Sequence, residues 1–270
     1  MTAVQPSFTT PSRLSPAALS RFRLCEKQFF FADVERAPRR DQSNPLLAQG
    51  NAIHAALERF FGLPPEQRNP AESVLQQALR NQWRAYCKPD TFTTVDQEIE
   101  FGQTALALMA NFASSFDTTP EPLAREQWVS TRLPNGIELF GKIDRVDPFE
   151  DGLAVIDYKT GRRQIEPEDL SGEPAAQVYL LAAEHEFGLP VRCVRYLYLA
   201  IGDDVRWYPE REDVPSIADH LVALTTSIKE AREFPASPGD QCRWCPFALR
   251  CTERGRVELA DLAPAEGLPF

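Results

Sequence analysis

No run of about 18 consecutive apolar residues occurs anywhere in the 270 residues, so no segment is expected to span a membrane as a helix. The opening stretch MTAVQPSFTTPSRLSP has no basic start followed by an apolar block. No secretory signal is therefore expected, and the expected location is the cytoplasm. In that compartment six cysteines read as thiols or metal ligands rather than disulfides. Positive charge is in deficit: 29 Lys and Arg stand against 39 Asp and Glu, a net charge of −10. That balance argues against tight nucleic-acid binding by bulk electrostatics, and leaves room for a local basic groove, for which Arg36, Arg39, Arg40, Arg162 and Arg163 are candidates. Histidine is scarce, with three in all. His185 and His220 sit in no ligand-like motif, which counts against a zinc hydrolase built on several histidines. There is no internal repeat, no convincing linker and no helicase motif.

What is present has the makings of a core: 43% of residues are hydrophobic and 25% charged, ordinary values for a globular chain. Residues 1–14 are rich in Thr, Ser and Pro and read as a flexible tail. Ser15-Pro16 gives a hydroxyl N-cap followed by proline at the first helical position. Leu19, Phe22, Cys25 and Phe29 then recur at helical spacing, which puts Cys25 on that helix's buried stripe. A second helix is expected from about Leu46 to Phe61, with Ile53, Leu57 and Phe60 on one face and His54 beside it. Two more follow near 71–87 and 98–116. The pattern then turns to strands at 123–133, 137–147 and 152–159, a helix at 174–187, strands in VRCVRYLYLA and DVRWYP, and a last helix carrying Ile217, Leu221, Leu224, Ile228 and Ala231. The expectation is one α/β domain over residues 15–255 with a helical front, then a tail over 256–270.

The stretch GKIDRVDPFEDGLAVIDYKTG, residues 141–161, holds the chemistry. In a strand Asp157 and Lys159 share a face, as do Lys142 and Asp144. A turn at Pro148–Gly152 sets the hairpin so that Asp144 faces Asp157, with Cβ atoms about 5 Å apart. Two facing carboxylates repel unless a proton, a lysine or a divalent cation compensates. Hard cations such as Mg²⁺ and Mn²⁺ favour carboxylate oxygens, and such a cation beside Lys159 suits phosphodiester hydrolysis. An exposed hairpin with surface salt bridges is the competing reading. Glu126, at the head of the first strand, reads as a surface glutamate, with an outer role at the site as the alternative.

The cysteines make a second cluster. CRWCPFALRC brings Cys242, Cys245 and Cys251 together. A closed metal site normally takes four ligands, so one of Cys25, Cys87 and Cys193 would complete it. Cys193 opens an apolar strand and reads as a buried core thiol.

The GKID strand, the turn and the VIDYKTG strand resemble the core of PD-(D/E)xK nucleases, specifically the RecB-type branch, which has a restriction-endonuclease-like mixed sheet flanked by helices. The resemblance runs from about Ser15 to Cys251. It implies that the helix GNAIHAALERFF supplies His54 as a metal ligand, joined by Asp144, Asp157 and the backbone carbonyl of Tyr158, with Lys159 assisting the attacking water. It implies a catalytic glutamine, Gln177, followed by a tyrosine; here Tyr179 lies two residues on, closer than the family's usual spacing. In the AddB-like subset one N-terminal and three C-terminal cysteines hold a 4Fe–4S cluster, which would assign Cys25 with Cys242, Cys245 and Cys251. A structural Zn²⁺ is the alternative, since four thiolates suit both. The activity implied is a Mg²⁺- or Mn²⁺-dependent DNA exonuclease of repair, acting on single-stranded DNA or DNA ends. The alternative is a DNA-binding or assembly subunit of a complex with a helicase partner.

Overall fold

The structure, a computed structural model, describes residues 8–38 and 44–254. Arg39 and Arg40 and the tail at 256–270 lie outside the described residues. Two compact units emerge, one from the described residues of 1–42, 130–141 and 211–268, the other from those of 43–129 and 142–210.

The second unit begins with α3 (Pro45–Phe61), whose start is set by Pro45 at the first turn and by Asn44 Oδ1, which accepts the Leu47 N–H at 3.1 Å. Its apolar stripe, Ile53, Leu57 and Phe60, is fully buried. It packs with α4 (Ala71–Tyr86) and α5 (Val95–Ser115). Thr94 caps α5 by accepting the Gln97 N–H at 3.1 Å. The apolar faces of these helices meet Ala154, Ile156, Tyr158, Cys193 and Leu197 in one core.

Those five residues come from the sheet. Its strands are β1 (Arg13–Leu14), β2 (Ala124–Arg132), β3 (Glu138–Phe149), β4 (Gly152–Lys159), β5 (Val191–Tyr198) and β6 (Asp203–Trp207). The order is β1-β3-β4-β5-β6, with β2 also pairing β3. Pairing is parallel for β1 with β3 and for β4 with β5, antiparallel for β3 with β4 and for β5 with β6. This is the mixed α/β sheet that the sequence leads one to expect. β4 is buried from Gly152 to Tyr158, as befits a central strand covered on both faces. The crossover to the parallel strand β5 is α6 (Pro174–Phe187), ended by Gly188 in the left-handed region at φ 66°.

The first unit contains α1 (Pro16–Leu24), α2 (Glu26–Phe29), a π-helical turn at Phe30–Val34, and α7 (Val214–Glu230). Ser15 Oγ accepts the Ala18 N–H at 3.3 Å, the expected cap. The helix does not run through Cys25, however. Cys25 is extended, at φ −165°, and separates α1 from α2. The helical stripe inferred for it is therefore corrected to a break, which frees its thiol from a helix surface. The flexible tail expected through residue 14 also stops short: Arg13–Leu14 pair with Glu138–Leu139, and the Phe8 ring lies 5.5 Å from Phe30 and 5.4 Å from Phe234. Asn135, in the turn between β2 and β3, donates to Thr225 Oγ1 at 2.8 Å and Thr226 Oγ1 at 2.9 Å on α7. No helix among the described residues is long and apolar enough to cross a membrane.

Candidate metal centre and cysteine cluster

The β3–β4 hairpin pairs Phe149 with Gly152 at the turn and Arg145 with Ile156 further out. One more step in that register sets Asp144 opposite Asp157, as the turn position predicts. Both carboxylates are buried. The Tyr158 N–H donates to Asp144 Oδ2 at 2.7 Å. On the other side, His54 Nδ1 lies 3.0 Å from Asp144 Oδ1. Asp157 is paired with Lys159, and the Lys159 ammonium stands 4.3 Å from the centre of the Tyr196 ring, a cation–π contact.

Glu126 belongs to this site, which corrects its reading as a surface residue. Its Oε1 lies 3.6 Å from His54 Nδ1, and its other oxygen pairs with Lys142. Its backbone adopts φ 47°, a left-handed conformation that is uncommon in a residue with a side chain and breaks the face alternation of β2. Nothing in the neighbouring sequence announces that conformation, which favoured the surface reading over the outer role at the site. His54, Glu126 and Asp144 each offer a ligand atom, all within 4.8 Å of one another; Asp157 does not fall in that group. Glu126 Oε1 is buried with no hydrogen-bond partner. A desolvated carboxylate oxygen whose nearest charge is the His54 ring at 3.6 Å is poorly satisfied, and a cation taking the place of the His54 proton would satisfy it. The donor set of carboxylates with an imidazole fits a hard to intermediate divalent ion.

The charges are consistent with a poised site. Burial works against a charged His54, yet Asp144 and Glu126 prevail and raise it from 6.5 to about 10. Burial pushes Asp144 up, but the His54 charge, the Tyr158 amide and Lys159 bring it below the usual carboxylate range. Asp157 goes the other way: burial and the Asp144 charge raise it against the pull of Lys159. For Lys159, burial is outweighed by Asp157, so the ammonium is held charged. Tyr179 reaches the site and donates to the Lys142 carbonyl at 3.0 Å. The Gln177 amide instead donates to the Ser171 carbonyl at 2.9 Å. Arg36, Arg162 and Arg163 are exposed.

In the first unit Cys25, Cys242, Cys245 and Cys251 are half-buried free thiols that line one cavity. Burial, reinforced by the three other cysteines, raises Cys245 to about 11. The Ser237 N–H donates to Cys25 Sγ at 3.4 Å, and the amides of Phe247 and Glu253 bond the sulfurs of Cys245 and Cys251. No three of the four sulfurs gather within 4.8 Å of one another. Cys87 and Cys193 are buried in the core of the other unit, the place expected for Cys193.

The family model of the PD-(D/E)XK nuclease superfamily matches residues 13–252. No curated protein matches the chain.

Proposed function

Because the chain belongs to the PD-(D/E)XK nuclease superfamily, we propose that it is a RecB-type, AddB-like exonuclease of DNA repair or recombination, working in the cytoplasm with residues 15–255 as one catalytic domain. Membership and the candidate metal site together point to metal-dependent phosphodiester cleavage. The observation that carries the finer reading is the hairpin register. It sets Asp144 against Asp157 and hangs Tyr158 and Lys159 from the same strand, with His54 arriving from α3.

His54, Asp144, Asp157 and the Tyr158 carbonyl would hold Mg²⁺ or Mn²⁺, with Glu126 as an added ligand or its neighbour. The ion, when bound, supplies Lewis acidity and a water of lowered pKa. Asp144 is ionised and oriented by the Tyr158 amide. Lys159, held charged, is suited to stabilise negative charge on the phosphate and to orient the water, more than to remove a proton from it. The Tyr179 hydroxyl fixes the backbone at Lys142. Gln177 keeps the catalytic role proposed for it only if its amide exchanges the Ser171 carbonyl for substrate.

The cysteine cavity is read as the site of a structural 4Fe–4S cluster. Four cysteines line it together, and the amides of Ser237, Phe247 and Glu253 bond three of their sulfurs, contacts of the kind that tune a cluster; four thiolates suit a structural Zn²⁺ as well. The second reading, a subunit active only with a helicase partner, draws on the net charge of −10, which leaves a partner to supply part of the DNA surface.

The test is cleavage of end-labelled single- and double-stranded DNA with Mg²⁺, Mn²⁺ or EDTA, wild type beside Lys159→Ala. Cleavage that needs metal and falls at least 100-fold in the variant is expected. A folded, metal-loaded wild type that cuts neither substrate sinks the exonuclease reading and favours the subunit.

A further inference from the structure

A furrow of about 980 Å³ runs along α3 and α4. Two of its lining residues neighbour the candidate metal ligands along the chain. Glu58 lies one helical turn beyond His54, and Arg125 immediately precedes Glu126; both line the furrow. Along α4, Ser73, Gln77 and Asn81 line it at intervals of four, so they form one ridge. The Gln77 amide donates to Asn81 Oδ1 at 3.0 Å, which orders both side chains and leaves each with N–H donors to spare. Gln82 and Arg59 complete the polar lining. α4 then ends at Tyr86, which is 41% exposed and close enough to Lys142 to interact with it electrostatically.

The lining carries two arginines against one glutamate, in a chain of net charge −10. Amides and guanidinium groups are the donors that bind phosphate and sugar. An exposed tyrosine at the end offers a base a stacking surface. Aromatic anchors of the kind that dominate protein interfaces are missing from the lining. Helices packed in contact stand about 8–10 Å apart, too close for a duplex to enter between them.

We propose that this furrow is a track for one strand of nucleic acid, with Arg59 and Arg125 holding successive phosphates, the α4 amides contacting the backbone, and Tyr86 stacking a base at the mouth of the site. The proposal rests on the nuclease reading for its purpose, but binding can be read without cleavage. Fluorescence anisotropy with a labelled single-stranded 12-mer in EDTA, at several salt concentrations, measures it directly. Two variants, Arg59→Ala with Arg125→Ala and Gln77→Glu with Asn81→Asp, change only exposed side chains. Each should bind at least tenfold more weakly with unchanged melting. The arginine pair should also flatten the salt dependence by about 1.4 in slope, two phosphates at about 0.7 each for a single strand.

Variants that bind like wild type with the same slope overturn the track, and so does a wild type that binds no strand at low salt. A duplex weakened as much as the single strand overturns the one-strand assignment. Equal binding of an RNA 12-mer, lost in the same variants, supports a track that reads phosphates; loss of the RNA arm alone assigns it to DNA. If binding behaves as expected but Mg²⁺ brings no cleavage, the nuclease reading falls and the track stands.

Discussion

The Tyr158 backbone N–H reaches Asp144 Oδ2 at 2.7 Å across the β3–β4 hairpin. One residue thus orients the first buried carboxylate through its amide, and its two neighbours, Asp157 and Lys159, form the adjoining ion pair. The contact depends on backbone, so no substitution at Tyr158 other than proline removes the donor. It depends instead on register. A slip of one residue would turn Asp144 and Lys142 to the opposite face, which is why the apolar pairs between Val146 and Val155 and between Pro148 and Leu153 matter to the chemistry.

Glu126→Gln should weaken binding of Mn²⁺ by 10- to 100-fold, the range seen when a group supporting a metal site is lost. The amide keeps the shape and removes the charge beside His54. Isothermal titration on the folded variant measures it. An unchanged Mn²⁺ affinity would show that Glu126 serves only its pair with Lys142.

The elevated pKa of His54 gives metal binding a definite pH dependence. A ligating imidazole must first lose its proton. With its folded value near 10, affinity for Mn²⁺ should climb from pH 6 to pH 9, by up to about tenfold per unit for one proton released. The metal-free protein should behave oppositely. Charged His54 contributes stability that is fully present below the unfolded value of 6.5 and is lost as pH rises through about 10. His54→Asn should flatten both profiles. Parallel profiles for wild type and variant, in metal titrations and in melting curves, would count against this.

The hairpin and its register were readable because they follow from period-two alternation and an Asp-Gly turn, both local. The bounds of α6 were readable for the same reason, with a proline at one end and a glycine at the other. Glu126 was not, because its role depends on a positive φ that no neighbour in sequence announces. Cys25 was placed on a helix because Leu19, Phe22 and Phe29 keep helical spacing. The chain breaks at Cys25 all the same, and lodges it with three cysteines more than 200 residues on. Arg13–Leu14 is too short a strand to show periodicity, and its pairing with Glu138–Leu139 is long-range. The furrow-lining arginines, Arg59 and Arg125, are exposed just as Arg36, Arg162 and Arg163 are, but they stand in no basic run, so nothing in the sequence singled them out.

Gly152→Ala should destabilise the chain by about 1–3 kcal/mol, the cost typical of overpacking. A Cβ there would lie 2.1 Å from the Pro190 carbonyl oxygen and 2.9 Å from Arg192 Cγ. The first is backbone, and it already accepts the Leu153 N–H at 2.9 Å, so it cannot yield without disturbing the start of β5. The nearby Glu150 sits at φ 50°, so Glu150→Gly should relieve strain and leave stability unchanged or improved. Thermal melting separates the two. Equal melting temperatures for wild type and Gly152→Ala would mean that the strand end moves freely.

Cys25→Ala and Cys193→Ala should part company sharply. Cys25 lines the cavity with the three C-terminal thiols and accepts the Ser237 N–H. Cys193 is buried in the apolar core of the other unit and does not line that cavity. Anaerobically purified wild type should be brown, with iron and labile sulfide in equal amounts, and should bleach on oxidation. Cys25→Ala should lose the colour and the iron and melt at lower temperature, because a structural metal contributes directly to folding. Cys193→Ala should keep full iron content, with the modest stability loss of a small cavity. A colourless wild type carrying one zinc would replace the cluster by a zinc site, and iron retained in Cys25→Ala would remove Cys25 from the ligand set.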